Sequence, residues 1–281
     1  MIDLKCIFIA NQMFSTKRGL SLISAFMTCA SILMGQDFEV APVLVSFNAD
    51  PGETQSRELT IRNHGSEAQI FNLNLSDYII DEEGAKKSVA AGSTERSLAD
   101  WLTVNPAFVE LNPNESATAD LILTVPRTGF KPRWGMVSVA VAKEQLASDA
   151  DKDLSTGVVI VPRIVVLVKQ SPPSNQNFSG KVSGLREVES KNQEFRSFEA
   201  ILENTGDNIL DAKAFLALAD MKTAEEKAYE PTRVTIYPGQ KRRVVLVLPE
   251  KPPPGNYALA FLMDYGENKP IEGAQIMLEI Q

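Results

Sequence analysis

From Phe38 onward, apolar residues recur at every second position in short runs broken by turn residues. Between Arg57 and Asn63, Leu59 and Ile61 share one face while Glu58, Thr60 and Arg62 share the other. Phe71, Leu73 and Leu75 repeat the pattern against Asn72, Asn74 and Ser76. Period-2 alternation of this kind marks half-buried antiparallel strands. Leu59, Ile61, Leu73 and Val139 are therefore expected in a core, and Glu58, Thr60 and Asn72 in water. Asp50-Pro51-Gly52, Asn63-His64-Gly65 and Asn112-Pro113-Asn114 punctuate the runs with residues that favour turns.

The same grammar occurs twice. Phe198–Asn204 followed by Thr205-Gly206-Asp207 repeats the strand and turn at Asn63. Arg233–Gly239 mirrors Phe108–Asn114, Val244–Pro249 mirrors Leu121–Pro126, and Pro254–Tyr257 enters a strand as Pro132–Trp134 does. A final strand carries Ala274, Ile276, Leu278 and Ile280 on one face. The period is too long for a solenoid. It predicts an all-β protein made of two immunoglobulin-like β-sandwich domains in tandem, each of seven strands. The expected boundaries are residues 37–170 and 178–281, with a linker at 171–177 that contains Ser171-Pro172-Pro173-Ser174-Asn175.

One stretch, Gly157–Lys169, is apolar on both faces and rich in β-branched residues, which favours a strand. Val158, Ile160, Pro162, Ile164, Val166 and Val168 form a face that belongs in a core. The opposite face holds Val159, Val161, Arg163, Val165 and Leu167, then Lys169. Pro162 has no N–H to donate, so it points to an edge strand or a bulge. An apolar strand at an edge needs a cover. Either the chain's own second domain or loop supplies it, or a partner polypeptide adds to the strand and takes Val159, Val161, Arg163, Val165 and Leu167 as its contacts.

Composition adds a targeting segment. Lys17-Arg18 precede an apolar run from Leu20 to Met34, then Gly35 and Gln36-Asp37, which reads as a signal peptide over residues 1–36 with an expected mature start near Asp37. Met13 stands just before it, so residues 1–12 are read as an over-long start. Both cysteines, Cys6 and Cys29, fall in this segment, leaving the mature part with no thiol to pair or ligate metal. Cys29 as a lipid-modified residue is the alternative. The whole chain carries a net charge of −8; without residues 1–35, which hold Lys5, Lys17, Arg18 and Asp3, 25 basic and 35 acidic residues give −10. That balance argues against nucleic acid or anionic lipid as partner. No mature stretch is expected to span a membrane.

Catalytic chemistry finds little material. His64, the one histidine, stands in a polar turn. No Gly-x-Ser-x-Gly elbow, phosphate loop or dinucleotide fingerprint occurs. The acidic runs Asp81-Glu82-Glu83 and Asp149–Asp153 lack the glycine and closing glutamate of a calcium loop. Trp101 and Trp134 stand at the ends of apolar strands and are expected to pack in the core. The expectation is a protein with no enzyme activity, no cofactor and no metal.

Over residues 38–170 the chain resembles the periplasmic chaperones of pilus assembly, the PapD-like family. The resemblance lies in a first strand ending at a Pro-Gly turn and in Leu59-Thr-Ile-Arg-Asn63. Ser97-x-x-x-Trp101-Leu, Pro106-x-x-Val-x-Leu111-x-Pro113 and Trp134-Gly-Met-Val add to it, as does the hairpin into Pro162-Arg-Ile-Val-Val-Leu167. It implies two sandwiches with a cleft between them and a last strand of the first domain that donates apolar side chains to an incomplete subunit. A basic residue on that strand helps hold the subunit's terminal carboxylate, and Arg163 matches it. The family's second basic residue, on the first strand, has no counterpart in Ala41–Phe47. The expectation is thus a periplasmic chaperone, a single copy when free, that caps a pilin-like or other envelope protein subunit along residues 157–169. The alternatives are a non-catalytic structural adaptor in a cell-envelope assembly and a carbohydrate-active or other hydrolytic enzyme.

Overall fold

The computed structural model describes residues 37–142, 161–190, 194–266 and 269–281. Residues 1–36, read above as a signal segment and holding both cysteines, the Asp149–Asp153 run and Val159 lie outside the described residues. The rest is strand and turn, within one compact unit, Gln36–Gln281.

Ten strands build the first sandwich: β1 (Phe38–Ala41), β2 (Leu44–Phe47), β3 (Thr54–Asn63), β4 (Gln69–Ile80), β5 (Lys86–Val89), β6 (Leu102–Asn105), β7 (Phe108–Leu111), β8 (Ser116–Thr124), β9 (Arg133–Val141) and β10 (Arg163–Gln170). One sheet runs β1-β3-β8-β6; the other runs β2-β10-β9-β4-β5, with β7 also on β4. The tally exceeds seven because the sequence's single first strand is split and short segments pair separately along β4. The split has a cause in the pattern. Phe38 and Val40 are buried before Pro42, and Val45 and Phe47 after it, so the parity of the inward residues changes. Pro42 offers no N–H to the ladder. The chain leaves β3, where β1 is antiparallel, and crosses to the facing sheet, where β2 pairs with β10 in parallel.

Leu59, Ile61, Leu73 and Val139 lie in the core, with Phe38, Phe47, Phe71, Val166 and Val168. Glu58 and Thr60 face water, and Asn72 is half-buried. Trp101 packs against this core, with the Arg133 guanidinium 4.2 Å above its ring.

Eight strands build the second sandwich: β11 (Gly180–Val188), β12 (Arg196–Asn204), β13 (Leu210–Asp220), β14 (Glu226–Ala228), β15 (Thr232–Ile236), β16 (Lys241–Leu248), β17 (Gly255–Asp264) and β18 (Glu272–Ile280). Its sheets are β11-β12-β16 and β14-β13-β17-β18, with β15 on β13. The core gathers Phe198, Leu202, Leu216, Ile236, Leu259 and Phe261.

A buried asparagine closes the same corner in each sandwich. Asn63 Nδ2 donates to the Glu67 and Leu111 carbonyls, at 2.8 and 3.0 Å, and its Oδ1 accepts from Gly65 N. Asn204 Nδ2 donates to the Asn208 and Ile236 carbonyls, at 2.7 and 2.8 Å, and its Oδ1 accepts from Gly206 N. The facing turns match as well: Glu115 Oε2 accepts from Asn112 N, and Gln240 Oε1 from Tyr237 N. Buried backbone groups need such partners, and a side-chain amide supplies a donor and an acceptor at once.

The sandwiches meet through an apolar cluster of Tyr78, Met136, Ile209 and Tyr237, with Ile80, Trp134 and Leu167 packed on it. The Tyr78 and Tyr237 hydroxyls are 2.6 Å apart, and burial pushes both phenols up in pKa. Trp134 therefore packs between the sandwiches, against the Tyr237 ring at 4.7 Å, and not inside one core. Around the cluster, Arg96 reaches Asp207 at 2.5 Å. The segment carrying Arg96 is held by buried Asp77, which accepts from Thr94 N, Thr94 Oγ1 and Ser97 Oγ. The acidic Asp81–Glu83 turn docks on the second sandwich: Arg243 N donates to Glu82 O at 2.8 Å and Gln240 Nε2 to Asp81 O. Gly84 has φ +83, a left-handed conformation that favours glycine, and the Arg242 guanidinium lies against its bare Cα. The 171–177 segment is tied to both sides. Ser174 N donates to Asp50 Oδ1, Asn175 Nδ2 to the Phe130 and Asp207 carbonyls, and Asn208 Nδ2 to Asn175 O.

Candidate partner-binding site

β10 lies between β9 and β2 but is only half covered. β9 pairs with it along its whole length, from Arg163↔Ala140 to Gln170↔Arg133. β2 pairs with it only from Leu167 to Gln170. The outer edge of Arg163–Val166 therefore has no strand beside it among the described residues. β10 begins after Pro162, as a residue with no N–H requires, and Val161 and Pro162 precede it as exposed, irregular chain.

Alternation then sorts the side chains. Val166 and Val168 are buried in the core and Ile164 packs against it. On the opposite face Val161 and Val165 are 41% and 37% exposed, and Arg163 is exposed with no ion pair among the described residues. Leu167 shares that face but is half-buried in the inter-sandwich cluster. Val161, Arg163 and Val165 thus stand together at the free edge, Leu167 at its inner end. On the side of β10 away from the free edge, β9 and β4 present Ser138, Ala140, Asn72 and Asn74, a low polar shelf in register with Val165 and Arg163. Phe108, exposed on β7, pairs with Asn72 at its far side.

Where β10 passes between the sandwiches, a cleft of about 510 Å³ opens. Leu44, Leu167 and Tyr237 line it, and Lys86, Lys169, Lys213 and Arg233 bring four cations against one carboxylate, Asp211. Lys169 Nζ lies 2.5 Å from Asp211 Oδ2, and Thr235 Oγ1 donates to Asp211 Oδ1. Burial and the nearby Arg242 charge hold the Lys86 ammonium below its usual pKa. The parallel pair Leu44↔Leu167 puts leucines at the cleft end of β2 and β10. The cations there come from Lys169 and from β5, β13 and β15, a set that residue spacing did not single out. Lys169 alone was legible, as the last residue of the exposed face. Arg163 lies at the other end of β10, six residues from Lys169. His64 is exposed elsewhere, 3.1 Å from Glu39 Oε2.

No family model matches the chain, and no curated protein does. Solved structures do. A class 5 fimbriae chaperone, CfaA, is similar at 14% identity and a TM-score of 0.47, covering 85% of this chain and 98% of its own. A chain from a chaperone–tip adhesin complex of CFA/I fimbriae biogenesis is similar at 15% identity and 0.45, covering 85% and 97%. The E. coli chaperone DraB is similar at 13% identity and 0.41, covering 86% and 98%. These are likenesses of fold at low identity. The fold is two immunoglobulin-like β-sandwiches in tandem, with a first strand divided between two sheets. No helix among the described residues is long and apolar enough to cross a membrane.

Proposed function

We propose that the protein is a periplasmic, non-catalytic chaperone of the pilus-assembly type that caps an envelope or surface protein subunit by strand pairing along β10. The observation that carries this reading is the half-covered edge: among the described residues no strand lies beside the outer edge of Arg163–Val166, next to exposed Val161 and Val165. Exposed strand edges recruit further strands, and native chains blunt them unless the pairing is used. Backbone pairing would hold the partner, and Val161, Val165 and Leu167 would fill alternate pockets in it. Residues 1–36 would export the chain.

The adaptor reading shares this edge and differs in what is held. Copurification from envelope extract with mass spectrometry separates the two. A chaperone retains one incomplete subunit in a soluble complex, whereas an adaptor retains a finished assembly. Val161→Asp and Val165→Asp place a charge where an apolar pocket is needed. Both variants are expected to lose the partner while melting as the parent does. Equal capture by the variants, or their unfolding with no separable binding defect, would overturn the reading.

A further inference from the structure

The outer face of the second sandwich's larger sheet is apolar where a solvated sheet is polar. An antiparallel sheet with one side in water alternates apolar inward and polar outward. β13 and β17 do not. Leu216, Leu218, Leu259 and Phe261 fill the core, yet the residues between them are also apolar. In register these outward residues form the pairs Phe215↔Leu262, Ala217↔Ala260 and Ala219↔Ala258. Met277 on β18 continues the last row beside Ala258 and is 62% exposed. Gly273 stands beside Leu262 on β18, where a Cβ would fall 2.6 Å from Leu262 Cδ2, and exposed Gln275, beside Ala260, is the polar residue between Gly273 and Met277. Small residues at the centre keep the face flat.

Its two ends differ in charge. Lys213 and Arg233, paired in register, stand at one end, with Asp264 beside Lys213 on β17. Glu226, beside Ala219 on β14, and Glu279, beside Asn256 on β18, stand at the other. None of the four forms an ion pair among the described residues.

We propose that this face is a self-association surface, which a second copy of the chain covers about a two-fold axis. Two sheets stack face to face about 10 Å apart when small apolar residues line both. A two-fold axis lying between the two faces and across the strands sets Lys213 and Arg233 of each copy against Glu226 and Glu279 of the other, so one patch complements itself. Four strands about 4.8 Å apart and about seven residues long give a face of roughly 20 by 23 Å. A pair then buries on the order of 900 Å², at the low end for specific contacts, where a weak and reversible dimer is expected. The surface shares Lys213 and Arg233 with the cleft but takes in none of Arg163–Val166, so a dimer leaves the outer edge of β10 free in each copy.

Sedimentation equilibrium of the purified protein, with no partner present, tests the proposal. The parent should show a monomer–dimer equilibrium with a Kd of about 10–500 µM at low salt, weakening as salt rises. Met277→Lys, at an exposed site, should weaken it by about tenfold or more. Lys213→Glu should weaken it and Lys213→Glu with Glu226→Lys should restore it, a recovery that misfolding cannot produce. Val165→Asp should leave it unchanged. A parent that stays monomeric at about 1 mM, a Kd untouched by Met277→Lys and Lys213→Glu, or a dimer lost on Val165→Asp would each overturn the proposal.

Discussion

The β9–β4 face of the first sandwich and the β17–β13 face of the second occupy equivalent positions and have opposite character. The first shows Ser138, Ala140, Asn72 and Asn74 beside a closing strand, β10, whose edge is half open. The second shows Ala258, Ala260, Phe215 and Ala217 beside its own closing strand, β18. The skeleton underneath is shared, down to the asparagine corner and the turn facing it. A common skeleton with opposite outer faces shows where folding ends as an explanation. Inward residues and corners are constrained alike in both copies because each must bury a core and satisfy the same backbone groups. The outward residues are free of that constraint, so their difference reflects what each face meets.

The largest effects should fall on the shared skeleton and be alike in both copies. Ile61→Ala and Leu259→Ala each delete buried methyl groups and should cost about 2–5 kcal/mol by denaturant unfolding. Asn63→Ala and Asn204→Ala each leave two carbonyls and a Gly N–H without their amide partner, both carbonyls buried at Asn204 and one at Asn63, and should cost on the order of 2–4 kcal/mol. Matching losses support equivalence; a large loss at Asn63 with none at Asn204 would break it.

This skeleton was legible from alternation alone. Leu59, Ile61, Leu73 and Val139 declare their burial by period, and Asn63-His64-Gly65 declares a turn, although its role in bonding Leu111 across the corner does not appear in local pattern. The split first strand was not legible, because Pro42 breaks a run whose two halves look alike and the destination of β2 lies over 120 residues away on β10. The inter-sandwich cluster was hidden for the same reason: Tyr78 and Tyr237 read as isolated aromatics until the fold brings them together. At the candidate site the alternation of β10 was readable, but the cleft cations Lys86, Lys213 and Arg233 come from three separate strands.

A smaller effect concerns the first sandwich only. Arg163→Ala removes a charge from the free edge and should weaken partner capture by about 1.5–3 kcal/mol if it meets a carboxylate, with the melting temperature unchanged. Lys169→Ala at the cleft end serves as its counterpart, since Lys169 already holds Asp211. A binding loss at Lys169 without one at Arg163 would move the charged contact from the edge into the cleft.

Between the copies, Tyr78→Phe leaves the buried Tyr237 hydroxyl with no Tyr78 partner and should cost about 1–2 kcal/mol. The loss should appear in a double-mutant cycle with Tyr237→Phe, where removing both hydroxyls costs less than the sum of the single changes. Additive costs would mean that the pair does not couple the sandwiches.

The smallest expected effect bears most directly on the two faces. If outward polarity is not set by folding, then exchanging it should barely change stability. Asn74→Ala makes the first face more like the second, and Ala260→Asn makes the second more like the first. Both sites lie on central strands with their side chains away from the core, where substitutions change stability by about 0.5–1 kcal/mol through strand preference and neighbour contacts. Stability should therefore stay near the parent's, while self-association weakens for Ala260→Asn and holds for Asn74→Ala. The physical reason is that Ala260 sits amid Leu262, Ala217 and Ala258 with Gln275 beside it on β18, where an amide pressed against a second copy gives up water for Gln275 alone, whereas Asn74 sits in water in either state. A cost at Ala260 of several kcal/mol, comparable to Leu259→Ala, would mean that the chain itself packs on this face, and the contrast between the two sandwiches would then be one of folding after all.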